Sequence, residues 1–247
     1  ILVKILNKKF KISSKMSYLI AIGTSVCGAT AIVATAPVVN AKKTEVAYAI
    51  ANITLFGVIA MIIYPYFAEW YFDNDVLKTG LFLGTSIHET SQVAAAGLIY
   101  DQQFNSPETL NVATVTKLIR NTFLVILIPL FAFLYNRGEL KAQNYSILSI
   151  FPYFVIGFIG MIVVRNIGDQ FFTADSNNYG LWLNLIGYLK TLTTVFLTMA
   201  MAAVGISINL GELKSMGYKP FIVGLIAAIT VGFISLIYIE TLIKFIY

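Results

Sequence analysis

The sequence is poor in charge, in histidine and in cysteine. Only 12% of its 247 residues are charged and 58% are hydrophobic, whereas roughly 25% of the residues of a soluble domain are charged. A single cysteine, Cys27, excludes an intrachain disulfide and a metal site built on cysteine pairs. A single histidine, His88, excludes a zinc-protease helix, because the second histidine would stand four residues later, where the chain has Gln92. With a mean hydropathy of +0.80, the chain is typical of a helical membrane protein.

Long apolar runs occupy most of the chain. A helix that crosses a bilayer needs about 20 mostly apolar residues, and on that template the sequence predicts seven spans. They cover roughly 16–40, 45–69, 76–100, 112–135, 147–166, 184–208 and 219–246. Because the runs lack the period-2 alternation of strands, we expect an all-α, polytopic membrane protein.

The net charge of +5 comes from one segment. Five lysines and no acid precede residue 16, while the other 12 basic and 12 acidic residues cancel. Such a segment suits a membrane surface and not a nucleic acid. The chain opens on Ile1-Leu2-Val3-Lys4 without a methionine or a signal peptide, which is typical of the tail of a helix whose beginning is absent. Seven spans would place residues 1–15 and 70–78 on one side and Lys42 and Lys43 on the other, and the basic excess predicts a cytoplasmic N-terminus.

Two of the predicted spans contain stretches of small residues. Residues 23–37 carry Gly28 among hydroxyl residues, and the sixth span ends in a similar glycine-interrupted stretch at 199–209. Small residues let helices approach closely, or break and leave backbone groups facing a cavity. Each stretch precedes a short basic turn and a bulkier span, which indicates an internal duplication. A break at Gly28 would offer amides to an anion or carbonyls to a cation such as Na⁺, and both alternatives stay open.

The stretch 79–97 is apolar at both ends and polar in the middle, where it holds His88. Polar groups within hydrocarbon are costly unless they face a cavity or one another. On a helix, Thr85, His88 and Gln92 would share one face, and Ser86 and Glu89 would lie on another. Since imidazole can take up a proton near neutral pH, we expect His88 to contact the substrate or a proton. The alternative is a structural histidine that is hydrogen-bonded inside the bundle.

Two cations lie three residues apart near the start of the fourth span. Arg120 can hold an oxyanion bidentately and Lys117 can act as a point charge, but both could instead snorkel to the lipid headgroups. Asn52 and Thr54 are expected to hydrogen-bond across helices. The candidate substrate-binding residues are Ser25, Cys27, Thr30, Thr85, Ser86, His88, Glu89, Gln92, Lys117 and Arg120. Neither a nucleophile–base pair nor a carboxylate pair is found within the spans, so we expect no enzyme, metal site or organic cofactor.

Four motifs in order resemble the YeiH-like family of bacterial membrane proteins, whose members are described as sulfate exporters. The motifs are residues 25–31 with Ala36-Pro37-Val38, residues 86–97, residues 117–120, and residues 200–205 with Gly217-Tyr218-Lys219-Pro220. The resemblance implies membership of the bile acid, arsenite and riboflavin transporter superfamily. It implies two inverted repeats of about five helices, each with a broken, crossing fourth helix. By that comparison 1–247 is one transmembrane domain that lacks its N-terminal helices, 16–69 ends the first repeat and 76–246 forms the second.

The expected function is that of a secondary transporter, an exporter of a small anion such as sulfate or a sulfonate across the bacterial inner (plasma) membrane. The coupling ion, Na⁺ or H⁺, and the oligomeric state, with a homodimer as one option, stay open. The partners expected are the small anion and the lipid bilayer, and no nucleic acid. The alternatives are a non-transporting membrane scaffold or sensor of the same fold, and a transporter of a different organic anion.

Overall fold

The computed structural model describes residues 2–124, 126–127, 130, 154–173, 176, 178–207 and 217–246. Across these ranges the chain is helical and contains no strand, which confirms the predicted all-α class. The helices are α1 (Leu2–Phe10), α2 (Ser14–Ser25), α3 (Ala29–Thr35), α4 (Lys43–Phe72), α5 (Val76–Ser86), α6 (Thr90–Phe104), α7 (Pro107–Thr122), α8 (Phe154–Phe171), α9 (Tyr179–Ser207) and α10 (Lys219–Ile246). Residues 131–135 and 147–153 of the predicted fourth and fifth spans lie outside the described residues.

Two helices of the described part are long and apolar enough to cross a membrane: α4 and Lys219–Ile243 of α10. With 30 residues, α4 is about 45 Å long, more than the ~30 Å of a bilayer's hydrocarbon core. The two helices run parallel. Tyr48 Oη and Asn52 Nδ2, near the start of α4, each donate at 2.9 Å to the carbonyls of Gly217 and Pro220. At the other end, Glu240 of α10 has its Oε1 3.7 Å from Nζ of Lys78, a residue that follows the end of α4 at Phe72 by six positions.

The outer faces of these two helices are apolar. Large exposed side chains recur every three or four residues along α4 and along α10, so each helix presents one continuous stripe. Such stripes are the surfaces that hydrocarbon covers in a membrane protein. They consist of Leu55, Ile59, Ile62, Tyr66 and Trp70 on α4, and Leu225, Ile229, Phe233 and Ile237 on α10.

The two ends of the bundle differ in charge. We call the end where α4 and α10 begin the basic end and the end where they finish the acidic end. The basic end carries the lysines of residues 4–15 together with Lys42, Lys43 and Lys219. The acidic end carries Glu69, Asp73, Asp75, Asp101, Glu108 and Glu240, with Lys78 among them.

Residues 14–41 form a re-entrant hairpin, which we call the first hairpin. Helices α2 and α3 run antiparallel, since a side chain at Gly23 would collide with Ile32 and the Lys15 ammonium donates to the Asn40 carbonyl at 2.7 Å. Ser13 Oγ donates to Glu45 at 2.5 Å, so the hairpin enters and leaves at the basic end. The prediction that 16–40 crosses the membrane is therefore wrong. Of the two alternatives for this stretch, close packing or a break, the structure shows a break at Gly28, where the chain reverses with a φ of 68°.

Residues 76–104 form a second hairpin that enters from the acidic end. Helix α5 ends at Ser86 and α6 begins at Thr90. The Tyr100 hydroxyl, near the end of α6, donates to Glu69 at 2.5 Å and lies 3.4 Å from Asn74 Oδ1 in the turn between α4 and α5. Helix α6 thus returns to the end where α5 began, and the prediction that 76–100 is a crossing span is also wrong.

The two hairpins belong to an inverted pair. Each is followed by a helix that begins at the same end as the hairpin, α4 at the basic end and α7 at the acidic end. Residues 14–72 and 76–122 therefore repeat one order of elements in opposite orientations, which is typical of transporter repeats. In the described residues of the sixth span no interruption is found, since α9 runs unbroken from Tyr179 to Ser207. The repeat boundaries 16–69 and 76–246 stay a prediction.

The sides predicted for the basic segments need correction. Residues 13–15 lie beside residues 40–45, because the first hairpin returns to the end where it began. Residues 70–78 lie at the far end of α4. The predicted grouping of 1–15 with 70–78 against Lys42 and Lys43 is thus wrong, and the lysines of 1–15 and 42–43 share one end.

Candidate functional site

The tips of the two hairpins, residues 26–28 and 87–89, meet beside the middle of α4. Glu89 Oε1 accepts hydrogen bonds from the Ala29 amide and from Thr54 Oγ1, each at 3.3 Å. Gln92 Nε2 donates to the Thr54 carbonyl at 3.1 Å. A side chain at Gly28 would collide with Glu89. The small residues of the first tip therefore allow the two tips to touch, and Thr54 forms the predicted contact across helices.

Lys117 of α7 joins the two tips from the other side. Its side chain is fully buried, and its ammonium donates to the carbonyls of Val26 at 2.8 Å and Ile87 at 2.9 Å, and to the carbonyl of His88. An ammonium has three N–H donors, so the backbone of the two tips takes all of them.

Arg120, one turn further along α7, also donates to backbone carbonyls of both hairpins, nearer to the ends of the hairpin helices. Its Nε and Nη2 donate to the carbonyls of Ser25 and Thr24 at 3.0 and 2.6 Å, and its Nη1 donates to Thr85 at 2.7 Å and Ile87 at 3.2 Å. These are the last carbonyls of α2 and α5, which have no partner within their own helices. The guanidinium therefore caps two helix C-termini at once, which explains why α5 stops within a sequence that resembles a continuous span.

The tips bring together four helix ends and three charged side chains. Helix C-termini carry a partial negative charge and N-termini a partial positive one. Lys117 and Arg120 face the C-termini of α2 and α5, and Glu89 faces the N-terminus of α3. Since the four partial charges offset one another, the side chains leave one formal positive charge in excess. No side chain caps the N-terminus of α6.

His88 is the polar group of the tips whose hydrogen bonds are unused. Its side chain is 1% exposed, and in the described part of the chain neither Nδ1 nor Nε2 has a hydrogen-bond partner. An imidazole always offers at least one N–H donor, and burying such a group without a partner is costly. The position therefore favours a ligand-binding role for His88 over that of a hydrogen-bonded structural histidine.

The remaining candidate residues are placed in two ways. Cys27 is buried in the first tip, and Thr30 follows on an exposed face of α3. The hydroxyls of Ser25, Thr85 and Ser86 donate to carbonyls four residues earlier in their own helices, at 2.6, 2.6 and 2.5 Å. Ser25 and Thr85 thus enter the site through their backbone carbonyls.

Several contributors are absent from the predicted set, among them the carbonyls of Thr24 and Ile87 and the amide of Ala29. The Val26 carbonyl binds Lys117, Asn121 Nδ2 donates to Thr90 Oγ1 at 3.1 Å, and Ser235 Oγ forms a short hydrogen bond with Thr85 Oγ1. A backbone carbonyl gives no signal in a sequence. Asn121, next to Arg120 and one turn from Lys117, could have been found from its spacing, whereas Ser235 lies 150 residues from its partner.

These features define an all-α membrane protein in which two inverted re-entrant hairpins meet over two cations, Lys117, which is buried, and Arg120, which is half-buried. A family profile described as "Conserved hypothetical protein 698" matches residues 1–224. A UPF0324 membrane protein of Fusobacterium nucleatum is 35% identical over 242 residues, which cover 96% of this chain and 69% of that protein. The chain belongs to the UPF0324 membrane protein family, consistent with the resemblance to YeiH-like proteins.

Two further relatives are also UPF0324 membrane proteins. A UPF0324 membrane protein of Streptococcus agalactiae is 35% identical over 224 residues, 91% of this chain and 64% of that protein. One of Yersinia pestis is 33% identical over 235 residues, 89% of this chain and 59% of that protein. The chain thus spans about two thirds of the length of these relatives. No solved structure matches it.

Proposed function

We propose that this protein is a secondary transporter that carries a small anion, such as sulfate or a sulfonate, across the bacterial inner membrane. The observation that carries the proposal is the meeting of two hairpin tips, entering from opposite ends, around the buried His88 and Lys117 and the half-buried Arg120. Irregular backbone at membrane depth is tolerated where it is buried in protein or lines a cavity, and in transporters it marks the binding site.

The charge of the tips supports an anionic substrate. Lys117 and Arg120 outnumber Glu89, and an uncompensated charge in a medium of low dielectric constant is expensive. A bound anion would neutralise the excess, and the His88 imidazole could donate a hydrogen bond to one of its oxygens. An oxyanion such as sulfate or a sulfonate suits this combination.

The inverted hairpins support alternating access. The first hairpin separates the tips from the basic end and the second separates them from the acidic end. If either hairpin moves against α4, the tips open toward one side while the other hairpin still closes the opposite side. Under the positive-inside rule the lysine-rich basic end is cytoplasmic, and the multi-pass chain then has α10 ending outside.

A non-transporting scaffold is the second candidate, and one observation favours it. Lys117 uses three donors, and Arg120 four of its five, on backbone carbonyls. Cations committed in this way hold the fold together whether or not a ligand is present. The two candidates differ in what they predict for His88, which a scaffold does not need.

Flux through the purified protein in liposomes tests the proposal. Labelled sulfate and a sulfonate are offered inside or outside, with a neutral solute of similar size as the reference. We expect anion flux well above that of empty liposomes, and its loss in His88→Ala without a change in the folded fraction. Arg165→Gln is the control variant that should keep the flux, since Arg165 forms an exposed pair with Asp169 on α8, away from the hairpin tips. Equal exclusion of sulfate, sulfonates and organic anions would leave the scaffold as the better description.

A further inference from the structure

A groove opens at the basic end between the first hairpin and α4. It has a volume of about 430 Å³, an order of magnitude more than the ~30 Å³ that one water molecule occupies. The hairpin supplies Pro37, Asn40 and Ala41 to its wall, and α4 supplies Lys43, Ala47 and Ile50.

The groove ends at Ile50 on α4, and the helix face that lines it leads on toward the hairpin tips. Lys43, Ala47 and Ile50 are spaced four and three residues apart on one face of α4, and Thr54 follows four residues later on that face. Thr54 contacts Glu89 and Gln92 at the second tip. The hairpin wall follows directly on α3, the helix that begins at Ala29, whose amide binds Glu89 at the second tip. The groove therefore points from the basic end toward the place where the tips meet.

The mouth of the groove is positive. Lys43 lines it and is exposed, and Lys42 beside it is exposed as well. The acid of this region, Glu45, is buried, and its oxygens accept hydrogen bonds from Ser13 at 2.5 Å and from the Lys42 amide at 2.9 Å. A cleft lined by one sign of charge raises the local concentration of the opposite ion.

We propose that this groove is the passage through which a small anion moves between the basic end and the hairpin tips, with Lys43 as the cation that attracts it. The proposal rests on the proposed function and adds the route and the residues of its wall. The occupants proposed for the groove are water and a free anion. A lipid headgroup bound in the groove would contradict the proposal.

Thiol labelling tests the route without a transport assay. Because Cys27 is the single cysteine, Cys27→Ala gives a cysteine-free background. Ile50→Cys places a thiol in the groove, and Leu55→Cys, on the exposed apolar stripe of the same helix, is the matched control. Inside-out and right-side-out vesicles are treated with membrane-impermeant anionic and cationic methanethiosulfonates. Ala47→Cys repeats the test if Ile50→Cys does not fold.

We expect Ile50→Cys to react from the side of the basic end only, at least about tenfold faster than Leu55→Cys. Adding Lys43→Gln should slow the anionic reagent about threefold and leave the cationic reagent no slower, as a single partly solvated charge would do. Equal rates at positions 50 and 55, reaction from the acidic end, or protection of Ile50→Cys by anionic lipid would overturn the proposal. If the protein transports anions but Ile50→Cys is not labelled, the proposed route is wrong and the proposed function still stands. If Ile50→Cys is labelled but no anion is transported, the proposed function is wrong, and the groove is not a route for a transported anion.

Discussion

The bonds of Lys117 predict how much stability one side chain gives to the meeting of the hairpins. Lys117→Met keeps most of the side-chain volume and removes the ammonium that binds Val26, Ile87 and His88. Each buried carbonyl left without its partner costs about 1–3 kcal/mol, which is offset in part because a buried charge is also removed. Arg120 still donates to the Ile87 carbonyl at 3.2 Å, so the carbonyls of Val26 and His88 are the two that lose their donor. We expect a net loss of about 3 kcal/mol, a value in the lower half of that range for two carbonyls.

Thermal unfolding in detergent measures this loss. For a chain of this size about 3 kcal/mol corresponds to a melting temperature lower by roughly 6–12 °C. Lys9→Met, which removes an exposed lysine of α1, should change the melting temperature by less than about 2 °C. The tips should also loosen, so the buried thiol of Cys27 should react with a maleimide at least about tenfold faster. If Lys117→Met has the melting temperature of the wild type and its Cys27 stays unreactive, the Lys117 ammonium does not hold the hairpin tips together.

Three further predictions concern single contacts. Gly28→Ala should lower the free energy of unfolding by about 1–3 kcal/mol, because its φ of 68° and the nearby Glu89 both oppose a side chain. Thermal unfolding measures this loss. Gly187→Ala is the control and should not lower stability, because a side chain at that position meets open space. Asn52→Leu should cost about 1–2 kcal/mol by the same measurement, since it leaves the Pro220 carbonyl without this donor, and an unchanged melting point would contradict the contact between α4 and α10. Glu89→Gln should strengthen binding of sulfate in calorimetry relative to binding of a neutral solute, because it raises the positive excess at the tips, and weaker binding would contradict the charge balance proposed for them.

The parts of the fold that sequence patterns predict are those that depend on local composition. A run of apolar residues without alternation predicts helices, and α4 and α10 are found where 45–69 and 219–246 are predicted. The break at Gly28 follows from a glycine among small residues, whose backbone can adopt a positive φ. The convergence of residues near Cys27, His88, Lys117 and Arg120 was likewise accessible, since polar groups in hydrocarbon must find one another.

The direction of the chain after each break was not accessible from composition. A template of about 20 apolar residues counts length, and a hairpin of two short helices has the same length as one span. What decides the direction is contact between distant residues, such as Lys15 with Asn40 and Tyr100 with Glu69. The count of basic residues on alternate sides failed for the same reason, because each hairpin returns the chain to its starting end.

The use of Lys117 and Arg120 on backbone carbonyls changes how an anion would be recognised. A cation that grips its ligand directly must exchange water for ligand in every cycle, whereas these two keep nearly all their donors on the tips. Their charge still acts at the hairpin tips, since hydrogen bonding to neutral carbonyls does not cancel it. Direct contact then falls to His88, whose ring nitrogens have no partner in the described part of the chain. In the proposed arrangement the cations would set the sign of the ligand, and their hydrogen bonds also hold the tips together. Removing either cation should therefore cost stability and binding at once, whereas His88→Ala should cost binding alone.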